Sequence, residues 1–245
     1  MKVTTDGCLF AAWTAHSLES GVLSRESVRD GQQANGDSRT VSDEKLLDIG
    51  CGTGLLSLMI AQKNQRLHID AVEIDEAAAQ QAMENSAASP WKERVNVIHS
   101  DIKNYYPANE SQYDFVVCNP PFYENELASP DEKRNKAHHD GSLLLEETVQ
   151  AIRHSLTSSG KFYLLLPYKR LEDINNLLQK SGLAVTDNVL VKQTPSHSFF
   201  RIMITGTLQN EKPVTVSSSE LTIKDAEGNY TPEFTALLKD YYLYL

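Results

Sequence analysis

Between Lys45 and Ile60 the chain passes from an apolar strand, through three alternate glycines, into an apolar helix, and few folds accept that order. Leu46, Leu47 and Ile49 read as the strand, which carries Asp48 near its end. Gly50, Gly52 and Gly54 read as the turn, and Leu55, Leu56, Leu58, Met59 and Ile60 open the helix. Glycines admit positive φ and let the backbone come close to a ligand. The helix N-terminus behind them favours a carboxylate or phosphate. Strand, glycine turn and helix is the nucleotide-site layout of doubly wound α/β folds, although the spacing here is Gly-x-Gly-x-Gly and not the Gly-x-Gly-x-x-Gly of dinucleotide enzymes.

The same alternation continues beyond the turn. Strands are predicted near 45–49, 67–73, 94–99, 113–118, 161–166, 184–192 and 199–207, with helices near 54–64, 76–88, 142–157 and 169–181. Regular β/α alternation predicts a largely parallel sheet covered on both faces. The last two strands have no helix between them, so they read as a hairpin whose final strand is antiparallel inside the sheet. Residues 8–18 predict a short helix carrying Leu9, Phe10 and Trp13. Residues 19–44 are polar and poor in large apolar side chains, and read as a mobile loop. From Leu221 the tail reads as a strand and a helix, with Thr231 as N-cap, Pro232 at the first helical position and Glu233 in the first turn. The expected organisation is one domain over 1–245: an N-terminal motif at 1–18, the loop at 19–44, the core at 45–207 and a C-terminal strand and helix at 208–245.

Residues with chemical potential fall at successive strand ends. Glu73, followed by Ile74, closes the second strand, where an acid can hold two ribose hydroxyls. Asp101, followed by Ile102, lies after the third, placed to meet an adenine amino group. The fourth delivers Asn119-Pro120-Pro121-Phe122. There the Asn119 amide oxygen and the Pro120 carbonyl can accept both hydrogens of a planar amino group. Pro121 stiffens the turn by fixing φ, and Phe122 offers a flat face for a ring. Each piece alone has an ordinary alternative: Pro-Pro often only ends a strand, and Glu73 or Asp101 could be a solvated loop acid. Their joint order argues against coincidence.

Asp-Ile-Gly-Cys-Gly-Thr-Gly at 48–54 together with Asn-Pro-Pro-Phe at 119–122 resembles the Rossmann-like, S-adenosylmethionine-dependent amino-methyltransferases. The opening, Lys2-Val3-Thr4-Thr5-Asp6-Gly7-Cys8-Leu9-Phe10-Ala11-Ala12-Trp13, and the close, from Tyr230-Thr231-Pro232-Glu233-Phe234 to Tyr241-Tyr242-Leu243, narrow this. Both are similar to the bacterial tRNA1(Val) (adenine-37-N6)-methyltransferase family, and the resemblance spans nearly the whole chain. It implies a class I α/β fold with a mostly parallel seven-stranded sheet whose last strand is antiparallel. It implies N6-methylation of a flipped tRNA adenine, with S-adenosylmethionine as cofactor and tRNA as partner.

The residues that match take roles by that resemblance. Asn119, Pro120, Pro121 and Phe122 form the catalytic tetrad. Thr5, Asp6, Asp48, Gly50, Gly52, Gly54, Glu73, Ile74, Asp101, Ile102 and Asn119 surround the cofactor. Phe122, Tyr123, Lys133, Arg134, Lys136 and His138 meet the tRNA. Family members carry a short segment ahead of the Lys-Val-x-Thr-Asp-Gly motif, which here follows Met1 directly. The expectation is a misassigned start codon or a chain cut short, with part of a substrate lid lost. Residues 19–44 are also longer and more polar than the family leads one to expect.

Charge runs against an RNA partner at first sight, since 23 basic and 33 acidic residues give a net charge of −10. Nucleic-acid binding draws on phosphate neutralisation, so a local basic face is needed. Lys133, Arg134, Lys136, His138 and His139 are candidates, extended by Lys169, Arg170, Lys192 and Arg201. Interleaved Glu124, Glu126, Asp131, Glu132 and Asp140 leave a merely solvated mixed face as the alternative. The segment from Tyr123 to Gly141 lacks periodicity and reads as a substrate loop.

No apolar run reaches the roughly 18 residues of a membrane span, and no signal peptide opens the chain. Cys8, Cys51 and Cys118 lack metal spacing, which predicts reduced packing cysteines, no metal and a cytoplasmic protein. No feature fixes an oligomeric state. Three rivals stay open: an amino-methyltransferase acting on DNA adenine or on a protein glutamine, a non-catalytic methyltransferase-like binding module, and a small-molecule methyltransferase.

Overall fold

A computed structural model describes residues 4–29, 44–108, 110–120, 145–210 and 214–244. Strand β1 (Glu44–Ile49) lies at the centre of a parallel group, with β2 (Leu67–Glu73) on one side and β4 (Tyr113–Cys118) on the other. Beyond β2 runs β3 (Val95–His99), and beyond β4 runs β5 (Leu156–Pro167), both parallel to their neighbours. Residues 46–49 of β1 and 115–118 of β4 are buried throughout. Strands buried on both faces read as continuous apolar runs, which is why they stand out in the sequence.

Past β5 the sheet changes character. β7 (Arg201–Leu208) is inserted antiparallel between β5 and β6 (Leu183–Lys192), as the missing helix between those last two strands predicted. An eighth strand, β8 (Ser217–Thr222), adds parallel to β6 at the edge. The complete order is β3-β2-β1-β4-β5-β7-β6-β8, so the expected seven strands become eight. The extra strand begins before the predicted Leu221. Its first four residues, Ser217 to Glu220, are polar and exposed, so no apolar alternation marks it.

Seven helices are described. α1 is Thr5–Arg29, α2 Leu55–Lys63, α3 Glu76–Ala88 and α4 Ile102–Tyr105. α5 covers residues 145–155, α6 is Leu171–Lys180 and α7 Pro232–Leu238. Side chains alternate across the sheet with period two. Leu46, Phe115, Val117, Tyr163 and Leu165 pack under α1, α2 and α7. Leu47, Ile49, Val116, Phe162 and Leu164 pack under α5 and α6. α1 comes close through Ala11, Ala12 and Ala15, all fully buried, and Trp13 lays an edge on Tyr163 at 5.8 Å.

α1 corrects the sequence reading. It starts at Thr5, not residue 8, with Asp6 in its first turn, and it continues to Arg29, into what reads as a loop. Residues 19–29 contain one glycine, no proline and several good helix formers, including Glu19, Leu23, Arg25 and Glu26. Low apolar content removes the periodic signal without opposing a helix. The rest of that stretch, 30–43, lies outside the described residues. At the other end α7 follows expectation. Thr231 caps it by accepting from Phe234 N at 3.3 Å, while its hydroxyl donates to Thr222 O at 2.6 Å.

Candidate active site

Strand order reverses at β1, which pairs with β2 on one side and β4 on the other. Open α/β sheets bind ligands in the crevice at such a switch, outside the carboxyl ends of the strands. Here Ile49 pairs with both Val72 and Cys118, and Glu73 pairs with His99. The register therefore brings Gly50, Glu73, Asp101 and Asn119 to one end of the sheet from four consecutive strands.

The glycine turn is tied to that end by backbone and by carboxylate. Gly50 N and Cys51 N donate to Val72 O at 2.9 and 3.1 Å. Gly52 N donates to Glu73 Oε2 at 2.7 Å, and Asp75 N to Glu73 Oε1 at 2.9 Å. Glu73 is thus not a loosely solvated acid; it is only 7% exposed and organises the turn. Two glycines serve different needs. At Gly54 φ is +82°, and it is this left-handed backbone that favours glycine, since a Cβ would make only ordinary contact with Ala82 Cβ on α3 at 3.4 Å. At Gly50 φ is +70° and a Cβ would meet nothing within 4 Å, so the turn stands open there.

Asp48 is fully buried beneath the turn. Ser57 Oγ, from the first turns of α2, donates to its Oδ2 at 2.6 Å, while among the described residues Oδ1 has no partner. Burial pushes the carboxyl up to about 7, only partly offset by the Ser57 hydrogen bond, with the charge of Glu73 adding to the rise. Because the folded value exceeds the ordinary 3.8, the folded chain holds more protons between the two. The contribution of Asp48 to stability falls as pH rises from about 4 to about 7 and levels off above it. Melting curves of the ligand-free protein should show Asp48→Asn gaining on wild type across that window. A constant difference between the two proteins from pH 4 to pH 8 would refute the assignment.

Asn119 follows Cys118 directly, half-buried, with Pro120 buried behind it. Among the described residues no hydrogen bond engages its amide. The N-terminus of α1 comes up against it: a Cβ on Gly7 would lie 3.7 Å from Asn119 Nδ2 and 3.1 Å from Thr4 Oγ1. Next to Gly7, Asp6 accepts from Arg201 Nε at 2.7 Å and from Gly7 N at 3.1 Å. Burial raises the Asp6 carboxyl, but hydrogen bonds from Thr4 and Arg201 and the Arg201 charge hold it below its usual range. Thr5 is exposed, with Tyr242 from the C-terminal tail beside it.

The remaining strand-end residues are set as follows. Asp101 caps α4, its Oδ1 accepting from Lys103 N at 2.9 Å, so its side chain is partly engaged. Ile102 is half-buried behind it, and Ile74 is 63% exposed at the crevice edge. The cysteines are free and buried, with Cys51 in the turn and Cys118 before Asn119; burial raises both thiols first of all, and the charges of Asp48 and Glu73 add to it. Pro121, Phe122, Tyr123, Lys133, Arg134, Lys136 and His138, with the predicted substrate loop, lie outside the described residues.

Cations offered as an extension of a basic face meet acidic partners. Arg170 meets Asp173 at 3.3 Å, Lys192 meets Glu220 at 2.9 Å and Arg201 meets Asp6. Among the described residues no group of three His, Cys, Asp or Glu could hold a metal ion, and no helix is long and apolar enough to cross a membrane.

Residues 17–181 match the family model described as the methyltransferase small domain. A tRNA1(Val) (adenine(37)-N6)-methyltransferase of Yersinia enterocolitica is 34% identical over 244 residues, 99% of this chain and 86% of the relative. The enzyme of the same name from Photorhabdus laumondii is 34% identical over 246 residues, 100% of this chain and 89% of the relative. This chain belongs to that methyltransferase family. Among solved structures, a predicted O-methyltransferase of Agrobacterium tumefaciens superposes with a TM-score of 0.63 at 16% identity, covering 82% of this chain and 91% of that one. At that identity it speaks for the fold alone, the class I methyltransferase sheet.

Two residues of the site escaped the sequence reading. Ser57 is the one polar position in Leu55-Leu56-Ser57-Leu58-Met59-Ile60, a run that reads only as an apolar helix start. Arg201 appeared as a surface cation, and nothing in the sequence pairs it with Asp6, 195 positions away.

Proposed function

We infer that this chain transfers a methyl group from S-adenosylmethionine to N6 of an adenine in tRNA, with adenine 37 of a valine tRNA as the target. The observation that carries this reading is the register at the switch point. Asn119-Pro120 continues β4 next to the glycine turn that continues β1, since Ile49 and Cys118 are direct partners. An acceptor pair for an amino group thereby stands beside a nucleotide turn. The printed names of near-full-length relatives supply the substrate class.

Three features of the crevice support a cofactor there. Asp48 presents a buried oxygen without a partner, the turn is open at Gly50, and Glu73 stands at the crevice. Asp48 and the backbone of Gly50, Gly52 and Gly54 would hold the methionine part, Glu73 the ribose, and Ile74, Asp101 and Ile102 the adenine. Bound S-adenosylmethionine supplies an electrophilic methyl group. The chain's part is positioning and preorganised acceptors. The Asn119 amide oxygen and the Pro120 carbonyl take the two hydrogens of the target amino group, which favours charge building on nitrogen and aims its lone pair. The nitrogen's extra proton is strongly acidic after transfer and leaves to water, so no base of unusual pKa is required. The target base has to leave its stack, and Phe122 would face it. A cytoplasmic setting accords with three free cysteines.

The test is transfer of labelled methyl to bulk bacterial tRNA lacking the modification, followed by nucleoside analysis. N6-methyladenosine at position 37 of a valine tRNA is expected. Intact cofactor binding without transfer to tRNA would replace tRNA by DNA or a protein amide as substrate. No cofactor binding would leave a non-catalytic module.

A further inference from the structure

The Asp6–Arg201 ion pair does not sit with the other charged groups of the surface. Its side chains are only 17% and 21% exposed, and it ties the first turn of α1 to the first residue of β7. β7 is a rigid anchor, since Arg201 pairs with Pro167 at the end of β5 and with Val191 of β6. The guanidinium is held a second and third time, by donating from Nη1 to Phe200 O at 3.3 Å and by lying 5.3 Å from the Phe200 ring centre. What it holds is equally specific. The residue after Asp6 is Gly7, which lies beside the Asn119 amide: a Cβ there would meet Asn119 Nδ2 in ordinary contact at 3.7 Å.

We propose that Arg201 is a positioning residue for methyl transfer: through Asp6 it fixes the N-terminus of α1 against Asn119 and so sets the orientation of the acceptor amide. The proposal rests on the assignment of Asn119 as that acceptor. Among the described residues Arg201 acts on Asn119 through Asp6 and Gly7, so its contribution belongs to the turnover step and not to binding. An isolated α1 terminus would be free to fray; a charge-assisted bond to the sheet removes that freedom. Misplacement of a reacting group by about 1 Å costs about 10²-fold in rate, which sets the scale of the effect. Lysine can reach Asp6 but lacks the planar fork that Phe200 and Asp6 hold at once, so it rescues in part.

The experiment measures kcat, KM for unmodified tRNA, cofactor Kd and melting temperature for wild type, Arg201→Gln, Arg201→Lys, Asp6→Asn and the double variant D6N/R201Q. Wild type comes first: if it does not methylate tRNA, the functional reading fails before Arg201 is tested. With wild type active, Arg201→Gln should lose about 10²-fold in kcat with KM and Kd within about threefold. Arg201→Lys should recover about a tenth of the wild-type rate. The double variant should be no slower than the worse single variant, since the two residues act as one unit. Three results would overturn the proposal. They are kcat preserved within twofold, a rise in tRNA KM with kcat intact (which would make Arg201 a phosphate contact), and additive losses in the double variant. If Arg201→Gln fails to fold, Asp6→Asn with Arg201→Lys carries the same comparison.

Discussion

Asn119→Ala is expected to lower methyl transfer to tRNA by about 10²–10³-fold while cofactor affinity stays within about threefold. The backbone at this position is held independently of the side chain. Cys118 pairs with Ile49 on one side and Leu164 on the other, and Pro120 is buried behind. Truncation therefore removes one acceptor and leaves the strand end, the Pro120 carbonyl and the glycine turn in place. Such a preorganised acceptor works on charge that develops during the reaction, so its loss appears in kcat. Asn119→Asp, which keeps an acceptor oxygen at the same reach, should retain more activity than Asn119→Ala. Calorimetry with S-adenosylmethionine and single-turnover rates decide the matter together. A fall in cofactor affinity as large as the fall in rate would move Asn119 out of the acceptor role and into the cofactor wall.

The parts of the fold and site that were legible in the sequence share one physical property: they are local or they repeat. The apolar runs at 46–49 and 115–118 announced buried parallel strands, and the glycine turn announced the switch-point crevice. Thr231-Pro232-Glu233 announced α7, because a cap is a matter of three consecutive residues. The invisible parts needed a partner far along the chain, or carried no pattern. β8 is a row of serines on an edge, and its place in the sheet is set by hydrogen bonds to β6, which any sequence can make. Residues 19–29 extend α1 without apolar periodicity. Asp6 reads as a cofactor residue and Arg201 as a candidate RNA cation, and their ion pair is not legible in the sequence, because a contact between two ends of a chain leaves no mark on either end. Glu73 was placed correctly at its strand end, yet its grip on Gly52 N depends on how the turn folds back, which spacing alone does not fix.

That grip makes Glu73→Ala the second large effect, expected to weaken cofactor binding by roughly 100-fold or more. Each carboxylate oxygen accepts a backbone N–H, from Gly52 at 2.7 Å and from Asp75 at 2.9 Å. Hydrogen bonds to a charged group contribute about 1.5–3 kcal/mol each, and about 1.4 kcal/mol is tenfold in affinity. Losing the tether of the turn together with any ribose contact therefore costs on the order of 3 kcal/mol of binding. Glu73→Gln separates the two roles. A glutamine keeps one acceptor oxygen but turns an amino group toward one of the two N–H donors, so it cannot serve Gly52 and Asp75 together. It should bind the cofactor almost as poorly as Glu73→Ala. Amide hydrogen exchange in the ligand-free protein gives the independent reading, because protection at Gly52 and Asp75 should drop in both variants before any cofactor is added. If protection there is unchanged while affinity collapses, Glu73 acts on the ribose alone and the turn stands without it. If both fall together, the acid at the end of β2 builds the cofactor site before it binds anything.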